Sequence, residues 1–143
     1  MARVIISGLS GLQKKLGSLS KVVQDEIKLQ VLDSATTIQM NAINAAPAGL
    51  KGKIDSTPQN NGFASEIGVQ SSTNIPVYVE FGTGQSAAAY VPTLPKEIQE
   101  YARQFYVNGQ GTMMKQPYLI PAFLRESPIF IKELENILKN SVK

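Results

Sequence analysis

Residues 20–46 constrain this chain more than any other stretch. Val23, Ile27, Val31, Ala35, Ile38, Ala42 and Ala45 follow one another at steps of three or four, which places them on one face of a 3.6-residue helix. Lys21, Gln24, Lys28, Gln39 and Asn44 fall largely on the other faces. Ser20 suits an N-cap, Asp25 and Glu26 bring negative charge toward the positive end of the helix dipole, and Pro47 closes the run. At 1.5 Å per residue such a helix is roughly 40 Å long. A compact chain of this size has a radius of gyration of only about 14 to 15 Å. The helix therefore crosses the whole domain, and the rest of the chain must pack along it.

Composition narrows the chemistry. The chain has 143 residues, 43% of them hydrophobic, enough for one domain with a proper core, and no linker or repeat divides residues 1–143. Cysteine, histidine and tryptophan are absent. Disulfides, thiolate chemistry, a histidine base and zinc sites of the Cys/His kind are thereby excluded. The formal charge of +3, from fourteen basic and eleven acidic side chains, permits contact with nucleic acid without arguing for it. No apolar stretch is long enough for a membrane span. The opening Val4-Ile5-Ile6 is too short for a secretory signal and reads as the first strand of a cytosolic protein.

Along the chain, residues 4–7 predict a strand ended by Gly8, and Leu9, Leu12 and Leu16 a short helix ending at Gly17, its Lys14 and Lys15 on a solvated face. After the long helix, Asn61-Gly62 is a tight-turn signal, and Phe63, Ile67 and Val69 alternate with Ala64, Glu66, Gly68 and Gln70. The expected result is a hairpin of residues 51–58 against 62–71, within a segment (48–71) whose tip is free to move. Residues 75–84 fit a buried strand or a short helical turn, and Pro76 favours the turn. Residues 85–95 read as an exposed loop and 96–107 as a helix, with Asn108-Gly109-Gln110-Gly111 turning the chain. From Ala122 onward Leu124, Ile131, Leu134, Ile137 and Leu138 form a terminal helical stripe, with a kink or restart expected at Pro128. The fold class is α+β: a small, mostly antiparallel sheet on one long helix, with a C-terminal helix alongside.

Without histidine or cysteine, catalysis would fall to carboxylates, Lys, Ser, Thr or Tyr. Glu80, Glu97 and Glu100 are the acids that would have to converge, and no catalytic motif surrounds them, so the chain reads as a non-enzyme that needs no cofactor or metal. Gly82-Thr83-Gly84 lacks the Lys-Ser/Thr of a phosphate loop and reads as a tight backbone passage. Lys51, Lys53 and Arg103 near Tyr106 are isolated basic spots, short of the dense stripe that duplex recognition uses. The aromatic residues gather in the second half of the chain, where they close the core over the long helix or supply a protein-binding surface.

Three segments in this order carry a resemblance. A strand and Ser7-Gly8-Leu9 turn lead to a long helix ending Asn44-Ala45-Ala46-Pro47; Tyr78-Val79-Glu80-Phe81-Gly82-Thr83-Gly84 follows; Gln116-Pro117-Tyr118-Leu119-Ile120-Pro121-Ala122-Phe123 precedes the closing helix. Together they resemble the small neck, or tail-completion, proteins of tailed double-stranded DNA phages: the gene-product-ten-like family of HK-type lambdoid phages and the minor tail protein Z type. Members of that family follow the Ala-Pro with an Asp-Thr-Gly-x-Leu-Arg type segment, where this chain has Ala48-Gly49-Leu50-Lys51-Gly52-Lys53. The resemblance implies a virion component made in the host cytoplasm, mounted as a ring, hexameric or twelve-fold, between head connector and tail. Tail termination or head closure in the same neck is the alternative, and a nucleic-acid-associated cytosolic protein a more distant one. The implied partners are other copies of itself, neighbouring neck and tail proteins, and DNA passing through the channel without sequence specificity; no membrane is involved. The expected interface residues are Tyr78, Glu80, Phe81, Gly82, Thr83, Gly84, Lys51, Lys53, Pro117 and Tyr118. Glu80 is expected to anchor its turn by accepting backbone N–H bonds, with Phe81 as an apolar plug and Gly82 and Gly84 permitting the bend.

Overall fold

A computed structural model describes residues 3–6, 19–103 and 111–141. Its spine is helix α1, Lys21–Ala45. Ser20 caps it as the sequence predicts, its Oγ accepting the Val23 N–H at 3.3 Å. Ile27, Val31, Ala35, Ile38 and Ala42 are buried along one side, the middle of the stripe the spacing assigned; at its ends Val23 is half-buried and Ala45 is exposed, with Ala46 buried in its place. A one-turn helix α2, Ala48–Lys51, follows Pro47.

Strand β1, Arg3–Ile6, lies beside β3, Ala64–Val69, and β3 pairs in turn with β2, Ile54–Gln59, in a fully antiparallel sheet of order β1-β3-β2. The β2–β3 hairpin pairs Ile54 with Val69 and Gln59 with Ala64. Asn60, Asn61 and Gly62 make its turn with φ of 51°, 57° and 96°, the left-handed conformations that Asn and Gly tolerate best. Two details differ from expectation. Lys51 belongs to α2 and Lys53 precedes the hairpin, so β2 starts only at Ile54. β3 is buried on both faces instead of one. Glu66, on the face away from Ile67, is nonetheless buried and accepts the Gln59 Nε2 bond at 2.6 Å.

The second half is more helical than its sequence suggests. Residues 75–84 resolve in favour of the helical turn: α3 is Ile75–Phe81, with Pro76 in its first turn. The loop expected over 85–95 is instead α4, Gly84–Tyr90, followed by a 3-10 turn Val91–Thr93. Alanine is the best helix former, and Ala87, Val91 and Leu94 bury themselves in the core, while Ala88 and Ala89 stay exposed. Helix α5 runs Lys96–Arg103; the expected continuation to 107, Tyr106, the start of the 108–111 turn and the short helix at 9–16 lie outside the described residues. Helix α6, Leu119–Ser141, starts three residues earlier than predicted and continues through Pro128 without restarting. Proline there forfeits the bond to the Leu124 carbonyl, a defect of roughly 3 kcal/mol. Packing offsets it: Phe130 and Leu134 are buried against the spine, and Ser34 of α1 donates to Glu126 Oε1 at 3.0 Å in the same interface.

Two apolar clusters result. The larger joins α1, the sheet and α6 through Ile27, Val31, Ile38, Ile54, Ile67, Val69, Leu119 and Phe130. The smaller joins α3, α4, α5 and the start of α6 through Val77, Phe81, Ala87, Val91, Ala102 and Ile120. Consecutive residues Leu119 and Ile120 belong to different clusters, so the start of α6 is where the two halves of the core meet.

Candidate assembly site

That junction is held by Glu80. Its α3 backbone places Val77, Glu80 and Phe81 inward, and Glu80 is only 4% exposed. Oε2 accepts the Tyr118 N–H at 3.1 Å, and Oε1 accepts those of Leu119 at 2.7 Å and Ile120 at 3.2 Å. These are N–H groups at the entry to α6, which have no partner within their own helix. The carboxylate also lies at the positive end of that helix dipole. Sequence reasoning expected Glu80 to accept backbone N–H bonds; the bonds bind a segment 38 to 40 residues away rather than its own turn. Tyr118 returns the contact, its hydroxyl donating to the Pro76 carbonyl at 3.0 Å.

The next residues grip the approach to α6. Val79 accepts the Gln116 N–H at 2.8 Å. Thr83 donates its N–H to the Met113 carbonyl at 2.9 Å and accepts the Met113 N–H on Oγ1 at 2.8 Å. Ser86 Oγ accepts the Lys115 N–H at 2.9 Å, and the Lys115 ammonium sits 4.7 Å from the centre of the Tyr90 ring. Residues 111–120 are thus laid along α3 and α4 as an arm. Gly82 and Gly111 make the close fit possible. Gly82, at φ +77°, would place a Cβ 2.7 Å from Ser86 Oγ and 2.9 Å from the Lys115 nitrogen; Gly111, at φ +102°, would place one 2.5 Å from Thr83 Oγ1. The tight backbone passage read from Gly82-Thr83-Gly84 is this one. Thr83 spends its backbone N–H and an acceptor position of its hydroxyl on Met113.

Electrostatics follow from burial. Desolvation pushes the Glu80 carboxyl up to about 7, against the pull of the three N–H donors. Burial and then the Glu80 charge push the Tyr90 hydroxyl up to about 12 and raise that of Tyr118 further. Phe81 stacks obliquely on Tyr101, centroids 6.4 Å apart.

The expected interface residues therefore divide. Glu80, Phe81, Gly82, Gly84 and Tyr118 are buried within the chain, a correction to their reading as an exposed face: Phe81 plugs its own core. Tyr78, Thr83 and Pro117 are half-buried around them. Lys51 and Lys53 are exposed elsewhere, and Lys51 donates to the Asn44 carbonyl at 3.4 Å near the end of α1. Glu97 and Glu100 lie on the exposed side of α5, not beside the buried Glu80 carboxylate. Among the described residues no cluster of three acidic side chains is positioned to hold a metal, and no helix is long and apolar enough to cross a membrane. Sequence reasoning missed Ser86, Met113 and Lys115, whose pairing depends on the fold. Comparison with family models, curated proteins and solved structures gives no match for this chain.

Proposed function

We propose that this chain is a structural protein of a tailed phage, forming a ring in the neck that joins the head connector to the tail, and that it transforms no substrate. One observation supports the reading above others. Two of the three segments that carry the resemblance, around Glu80 and around Tyr118, are a single unit in three dimensions, bonded through the Glu80 carboxylate and Thr83. A clasp of this kind serves shape: it fixes where an arm and a helix leave the core. The modest charge of +3 suits a protein beside passing DNA that does not read its sequence.

The test is genetic and visual. Interrupting the reading frame for this chain in its phage is expected to leave filled heads and finished tails that do not join, with joining restored by the purified protein. Normal particles from the interrupted phage would overturn the proposal.

A further inference from the structure

Helix α1 is apolar on two sides. Opposite its buried stripe, Val22, Leu29, Leu32 and Met40 are all more than half exposed. Leu29 and Leu32 also line a groove of about 420 Å³ completed by Val31, Pro58 and Ala64. Pro58 belongs to β2, the edge strand of the hairpin. Two charged side chains, Asp25 and Lys28, line the same groove. Lys28 is half-buried beside the Phe63 ring, whereas Asp25 is exposed, as is Lys115 on the arm, with Asp33 exposed further along α1.

The arm described above carries the opposite shape. Met114 is 74% exposed, the highest value among the large apolar side chains described, and Met113 beside it is 42% exposed. Both stand on a segment without regular structure whose backbone is fastened to Thr83 and Ser86, so the side chains are presented outward from a fixed base. Lys115 follows at once. Methionine is flexible and polarisable and fills irregular apolar recesses. A recess at the low end of the roughly 300–1,000 Å³ range of small-ligand sites holds a few side chains, not a helix.

We infer that the groove between α1 and the β2 edge receives Met113 and Met114 of a second copy of this chain, with that copy's Lys115 facing Asp25. Groove and knob sit on different parts of one chain, against the larger and the smaller apolar cluster respectively, so the contact is head-to-tail, the kind that closes into rings. Stable interfaces bury about 1,200–2,000 Å², more than two methionines supply; Val22 and Met40 extend the apolar contact along α1. This inference rests on the ring proposed above and names the surfaces that build it.

Because the chain has no cysteine, disulfide trapping is clean. Leu29→Cys and Met114→Cys chains of different tagged lengths are mixed at high concentration under mild oxidation. A mixed disulfide formed at least ten-fold in excess of either homotypic one is expected. Predominant Leu29→Cys homodimers, which would mean two α1 helices pairing face to face, would overturn the inference, as would the absence of any cross-link. Leu32→Asp, at an exposed position, is expected to abolish self-association while leaving the melting temperature unchanged; retained self-association would count against the groove. Rings imaged without the mixed disulfide would sink this pairing and spare the neck proposal. The mixed disulfide in a protein absent from particles would do the reverse.

Discussion

Glu80 concentrates the physics of the molecule into one side chain. Its proton is held more tightly in the fold, at about 7, than in an unfolded chain with the ordinary value of 4.5. Protonation therefore favours the native state. The contribution is fully present below about pH 4.5 and is lost as pH rises through about 7, by at most a few kcal/mol. Chemical denaturation across that range is expected to show falling stability in the native protein and a flatter profile in Glu80→Gln; stability that rises with pH would mean that the three N–H bonds outweigh burial. Glu80→Gln should also cost about 1–3 kcal/mol, because an amide NH2 must then face a backbone N–H. Gly82→Ala is a second test at this scale. Its φ of +77° and the 2.9 Å approach to the Lys115 nitrogen predict a loss of more than 1 kcal/mol, and a protease should then cut the arm faster.

Among the elements, α6 shows how packing overrides a local defect. Pro128→Ala is expected to raise the melting temperature, since it restores a donor to the Leu124 carbonyl at an otherwise helical position. Ser34→Ala should lower stability by about 1–3 kcal/mol, because the buried Glu126 carboxyl loses its Ser34 partner. The same elements show what a sequence discloses. Helix α1, its cap and the hairpin turn were legible because periodicity, Ser20 and Asn61-Gly62 act locally. Helix α4 was not, because small residues suit an exposed loop and a tightly packed helix equally well. The role of Glu80 was legible as an acceptor of backbone N–H bonds but not in its target, since nothing local in Tyr118-Leu119-Ile120 names the carboxylate that will receive them. Phe81 was legible as an apolar plug but not in what it plugs: an aromatic beside glycines suits an interface and a core alike, and only the meeting of α3 with α5 and α6 places it in the chain's own core.

For the whole molecule, the two apolar clusters and the clasp between them describe a body that fixes surfaces in space. One side offers the outer face of α1 and the groove beside β2; another offers the arm with its two methionines. The proposed ring needs two different surfaces held in fixed relation, and the Glu80 hydrogen bonds tie α3 to the start of α6, beside the arm. Cryo-electron microscopy of intact particles of the tailed phage proposed to encode this chain, with the chain traced into the density, tests this account most directly. The account predicts a closed ring of copies between head connector and tail, α1 of each against the Met113–Met114 arm of the next. Particles in which the chain is missing from the head–tail junction would contradict it.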